Sequence, residues 1–128
     1  MSANRNDLLK QMQEASAMLL EEKGCVSFVD VLMRMEKLTK ADHDAWRFGK
    51  TPCLESVITV NLAKIGLLLR SFQQYARSHG LRSSKTAYLS WGKGPKRQLR
   101  FSKSGAPTIE EAYATHAMKQ KEGERRAW

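Results

Sequence analysis

The sequence predicts an α+β domain, predominantly helical, with about five helices and one antiparallel β-hairpin in its C-terminal half. Three observations carry this. Apolar residues recur at helical spacing over most of residues 7–78. After Leu81 the period changes from 3.6 to 2. The chain has 128 residues, 41% hydrophobic and 27% charged, which suits one soluble domain with its own core. Residues 1–118 are expected to form that domain, and 119–128 a charged, flexible tail.

The elements follow in order. Leu8, Met12, Ala15 and Leu19 place a first helix from Asp7 to about Lys23, stopped by Gly24. Ser27 is an N-cap for the next, with Asp30 three residues on and Phe28, Val31, Leu32 and Met35 on one face. Thr39 and Asp42 repeat the signal, so a short helix should run from Lys40 to about Phe48 and stop at Gly49. On it Lys40, His43 and Arg47 share one face and Ala41, Ala45 and Phe48 another. Thr51-Pro52 then reads as N-cap and first residue of the longest helix, ending near Ser78 before Gly80. Its apolar residues cover more than half its circumference, so it is the central core element or a seam between two copies. Asn61 projects on that apolar side and needs a hydrogen-bond partner there.

Alternation in KTAYLSW points Ala87, Leu89 and Trp91 inward and Thr86, Tyr88 and Ser90 outward. In QLRFSKS, Leu99 and Phe101 point inward and Arg100 and Ser102 outward. Between them GKGPKR makes the loop of a hairpin. Thr108 and Glu111 then read as a capping box for a last helix carrying Ile109, Ala112, Tyr113 and His116 on one face.

The net charge of +9 narrows the function classes most. Residues 1–64 hold nine Lys and Arg against nine Asp and Glu; residues 65–128 hold thirteen against four, so the whole excess lies in the second half. No acidic residue occurs from Ser56 through Ile109. Such asymmetry attracts a polyanion. No apolar run reaches the length of a membrane span, and the opening MSANRNDLLKQMQ lacks the apolar core and cleavage pattern of a signal peptide, so a cytoplasmic protein with no membrane partner is expected. Cys25 and Cys53 lack the spacing of a zinc or redox site and are read as two reduced thiols.

Catalytic signatures are missing. His43, His79 and His116 are scattered without ligand-spaced partners, GKG lacks the rest of a P-loop, and the basic half holds no paired carboxylates. A metal-free ribonuclease would need a histidine, a second acid or base and a cation; His79 or His116, Tyr88 and Arg100 are of the right types, but nothing in their spacing favours it. A non-enzyme without cofactor or metal is expected.

The expectation is therefore a nucleic-acid-binding protein, duplex DNA ahead of RNA, with a role such as transcription regulation. Phosphate contacts fall to Lys93, Lys96, Arg97, Arg100 and Lys103 on the hairpin, extended by Arg70, Arg77, Arg82 and Lys85, with Tyr88 able to stack on a base. Lys40, His43 and Arg47 form a second reading head, on a helix–turn–helix. A helical core presenting a basic hairpin resembles a winged-helix domain, with the departure that a long apolar helix stands where that fold has its recognition helix. The alternative is a small adaptor, homodimeric through the long helix, that binds an acidic protein through the same hairpin.

Overall fold

The computed structural model describes residues 5–119. All of the expected tail except Lys119 lies outside them. Helix α1 (Arg5–Lys23) buries Leu8, Met12, Ala15, Leu19 and Leu20. Gly24, at φ 75°, turns the chain where a side chain would be strained, and its N–H donates to Leu20 O at 2.8 Å. Strand β1 (Cys25–Val26) follows, then α2 (Phe28–Arg34) and α3 (Lys40–Arg47). The Ser27 and Thr39 hydroxyls accept from the Asp30 and Asp42 N–H groups, each at 3.1 Å, so both caps stand where the sequence predicts them.

The expected helix over residues 52–78 is divided. A 3₁₀ turn (Leu54–Val57) precedes an extended segment, and α4 spans only Leu62–Ser78. Asn61 is its N-cap: the side chain accepts from Lys64 N at 2.9 Å. The polar residue that looked out of place on an apolar face thus starts the helix. Val57, Ile58 and Val60 are β-branched and fit an extended approach as well as a helix, so hydrophobic period alone did not mark the break. Helix α4 buries Ile65, Leu68, Leu69, Phe72 and Tyr75 and packs on α1 and α5 (Pro107–Ala114), so its apolar stripe is filled within one chain.

Two further expectations are corrected. Helix α5 begins at Pro107, with Ala106 at the N-cap position and no side-chain cap, so Thr108 and Glu111 do not form the expected box. It also ends at Ala114, and His116 lies in a strand, β3 (Thr115–Met118). That strand is central in a three-stranded antiparallel sheet of order β1-β3-β2, where β2 is Arg82–Lys85. Pairing on both edges outweighs the weak helical preference of four residues. The structure remains α+β and predominantly helical.

The hairpin over 85–104 is reduced to one bridge, Leu89 to Gln98, with Leu99 N–H donating to Tyr88 O and Ser90 N–H to Arg97 O, each at 2.8 Å. Its first arm shows the opposite face to the one expected. Tyr88 and Ser90 are buried, whereas Leu89 and Trp91 are 41% and 39% exposed. Alternation sets a period of two but not which set faces the core. The buried Tyr88 hydroxyl has a partner, His116 Nε2, at 2.8 Å. Leu99 and Phe101 are buried as expected and Arg100 is exposed, but Ser102, expected outward, is buried because Glu110 accepts from its N–H and hydroxyl.

A row of aromatic rings runs through the core. Trp46 meets Phe101 at 5.3 Å, Phe101 stacks on Tyr113 at 5.2 Å, Tyr113 meets Phe28 at 5.5 Å, and Phe28 meets Phe72 at 5.7 Å. The row ties α3, the second arm, α5, α2 and α4 together. Trp46, and not Ala41, Ala45 or Phe48, is the residue α3 buries. No helix among the described residues is long and apolar enough to cross a membrane.

Candidate nucleic-acid interface

The acid-free stretch is bracketed in sequence by Glu55 and Glu110, and the fold brings both back to its base. Glu110 accepts from Phe101 N at 2.9 Å and from Ser102 N and Oγ at 2.6 Å each. Glu55 accepts from Lys103 N and from the Tyr113 hydroxyl, both at 2.8 Å. Burial, and next the Glu55 carboxylate, push the Tyr113 phenol far above its usual range, so it stays protonated and keeps donating. These carboxylates accept from backbone and hydroxyl donors and form no ion pair with a lysine or arginine among the described residues. Arg100 is also committed at the base: Nε donates to Ser102 O at 2.8 Å, and the guanidinium reaches Lys103 O.

The tip differs. Every residue from Trp91 through Gln98 is exposed. Lys96 Nζ donates to Gly92 O at 2.8 Å, and Ser90 Oγ accepts from Arg97 N at 3.0 Å. Among the described residues no ion pair is formed by Lys50, Lys93, Lys96, Arg97 or Lys103. Lys85 is paired with Glu111 at 2.8 Å, and Arg82 reaches Met118 Sδ at 3.9 Å. Those two are engaged within the fold.

Helix α3 meets the tip. Trp91 N–H donates to Arg47 O at 2.6 Å, which pins the hairpin to the end of the helix. The Arg47 guanidinium lies 4.8 Å from the Trp91 ring centre and 5.1 Å from that of Tyr88. Its Nε is buried with no acceptor. Burial lowers its pKa from a value so high that it remains a cation. Trp91 also meets Phe48 edge-on at 5.5 Å and His43 at 5.7 Å. Lys50 Nζ lies 6.0 Å from the Phe48 ring centre. Lys40 and His43 both contact Asp44, at 2.8 and 2.9 Å, and these hydrogen bonds, Lys40 first, hold the Asp44 carboxyl below its usual range. The short helix and the basic loop, two separate reading heads in the sequence, therefore form one surface.

Between 49–52 and 97–100 lies a cleft of 330 Å³, lined by Lys50, Thr51, Arg97 and Arg100 among others. The Thr51 hydroxyl is buried there without a partner. Gly49, at φ 75°, lets the Arg97 guanidinium lie where a Cβ would stand, 2.5 Å away.

The cations of α4 belong elsewhere. Arg70, Gln74 and Arg77 are exposed and Gln73 is half-buried on α4, at the Phe72 end of the ring row, whereas α3 sits at the Trp46 end. Of the ribonuclease residue types, His116 meets Tyr88 through the hydrogen bond above, His79 stacks on Tyr75 at 4.0 Å, and Arg100 is held by carbonyls. No group of three or more potential metal ligands occurs among the described residues. The sequence reading did not single out Lys50, an exposed Phe48 or an exposed Trp91. One signal was present: Phe48 and Trp91 each precede a glycine, Gly49 and Gly92, at φ 75° and 103°. Comparison of the chain with protein-family models, with curated proteins and with solved structures finds no match.

Proposed function

We propose that this protein binds nucleic acid, through the surface where α3 and the 91–98 tip meet. The observation that carries the reading is electrostatic. Lys50, Lys93, Lys96, Arg97 and Lys103 have no ion pair among the described residues, and the carboxylates of Glu55 and Glu110 are turned to backbone and hydroxyl donors at the base. A phosphate chain holds condensed cations; lysines and arginines without an ion-pair partner can take their place, and release of those cations drives binding. The element order is similar in outline to a winged helix: a short strand after α1, α4 leading into β2, and β3 between β1 and β2. That likeness concerns architecture and assigns no function by itself. A cytoplasmic setting fits the two free thiols of Cys25 and Cys53.

The test is binding of a labelled random-sequence duplex and of its single strand across a salt series. The expected result is a steep fall of log K with log salt, about 0.9 per phosphate engaged on duplex and about 0.7 on single strand. No binding to either at low salt would replace this reading with the adaptor reading and direct the search to an acidic protein.

A further inference from the structure

The exposed rings at this surface say which form of nucleic acid it takes. We infer that Trp91 and Phe48 are a stacking platform for the unpaired bases of a single strand, an inference that rests on the nucleic-acid reading above. Phe48 is 49% exposed and Trp91 39%. Neither is loosely held. Trp91 is fixed by its backbone bond to Arg47 O, by the Arg47 guanidinium against its ring and by the edges of His43 and Phe48. Gly92, at φ 103°, makes the turn that follows Trp91 and lies beside the Phe48 ring. Rings that are both immobilised and open to water lose little entropy when a base covers them.

The chemistry around the rings selects the occupant. The platform adjoins Lys50, Lys93, Lys96 and Arg97, and Lys50 and Arg97 also line the cleft beside it, so a phosphate chain passing the rings meets cations. A second copy of this protein would bring like charges together at the same place. A duplex keeps its base faces stacked inside and offers these rings only sugar and phosphate. The Phe48 and Trp91 planes lie at 80° to each other, which suits bases that rotate independently along a flexible strand. Aromatic faces alternating with cations are the general means of holding single strands without reading their sequence. The expected preference for duplex came with the winged-helix likeness and with a single outward aromatic, Tyr88; Tyr88 is buried and Trp91 and Phe48 are exposed instead, which moves the proposal to single strands.

The experiment measures binding of the full chain to labelled oligo-dT, to a duplex of equal length and to polyglutamate, at low and moderate salt, by anisotropy and tryptophan emission. Oligo-dT should bind at least tenfold more tightly than duplex and quench emission. Trp91→Ala should lower oligo-dT affinity by about tenfold to a hundredfold, as expected for one stacked base, without changing the salt slope. Trp91→Phe should keep most of the affinity while losing the quench. Circular dichroism confirms that each variant is folded, and Phe48→Ala gives an independent second reading. If the duplex binds as tightly as oligo-dT and both alanine variants bind normally, the platform falls while the nucleic-acid reading stands. Equal binding of polyglutamate leaves only charge and also overturns the platform. No binding of either nucleic acid at low salt overturns both.

Discussion

The base and the tip of the basic hairpin both carry an aromatic ring and clustered cations and have opposite uses. At its base, residues 99–105 are held by two carboxylates, a ring stack and an arginine turned onto carbonyl oxygens. At its tip, residues 91–98 are all exposed, and their cations have no carboxylate partner among the described residues. Arg100 and Arg97 lie three positions apart in one basic run. One closes a loop and the other faces solvent. Basic residues in a cluster therefore cannot be given a common role from their charge; what each donates to decides it.

If the base is structural and the tip is not, truncation should separate them most clearly at tryptophan. Trp46→Ala should destabilise the fold by about 3–5 kcal/mol, since it removes a fully buried ring and leaves Arg100 O without its indole donor. Trp91→Ala should lower stability by less, about 1–2 kcal/mol, since the ring is 39% exposed and packs only on surface groups. Urea denaturation compares them; an equal loss would mean that the tip is part of the core.

The next largest effect belongs to Glu110. Glu110→Ala orphans the Phe101 and Ser102 N–H groups together with the Ser102 hydroxyl, and should cost about 2–4 kcal/mol. Denaturation midpoints of Glu110→Ala and Glu110→Gln should fall in that order, the amide retaining one acceptor. Unchanged midpoints would remove the clamp from the account.

A smaller effect should appear on acidification. His116 Nε2 shares a hydrogen bond with the Tyr88 hydroxyl, and burial lowers the His116 pKa in the fold. The neutral form is thus favoured in the native state. Its contribution is complete above the unfolded value, about 6.5, and is lost as pH falls below that. Midpoints measured between pH 7.5 and 5 should decline, with a shallower decline in His116→Gln. An identical decline in the variant would assign the pH dependence to other groups.

The smallest effect on stability should come from the tip. Lys96→Glu with Arg97→Glu should change stability by no more than about 0.5 kcal/mol. The same pair should weaken polyanion binding at least tenfold and lower the salt slope by about two phosphates. Full affinity in that double variant would remove the tip from the interface.

Much of this was legible in the sequence, for local reasons. Ser27 and Thr39 cap their helices because a hydroxyl and the N–H three residues on are brought together by the first turn itself. Gly24 ends α1 through its own backbone conformation. The period-2 pattern after Leu81 and the charge asymmetry also depend only on neighbours in the chain. Other features needed partners distant in sequence. The phase of the first hairpin arm was set by His116, twenty-eight residues from Tyr88. The strand at Thr115–Met118 exists because β1 and β2 flank it. The division between a closed base and an open tip depends on Glu55, forty-eight residues from Lys103. Sequence alone determined where α2 and α3 start, which segment alternates and which half is basic, since each follows from interactions over a few residues; the starts of α4 and α5 were not among these. Tertiary structure alone decided which side of an alternating segment is buried and which cations remain free, since both depend on what the folded chain places opposite them.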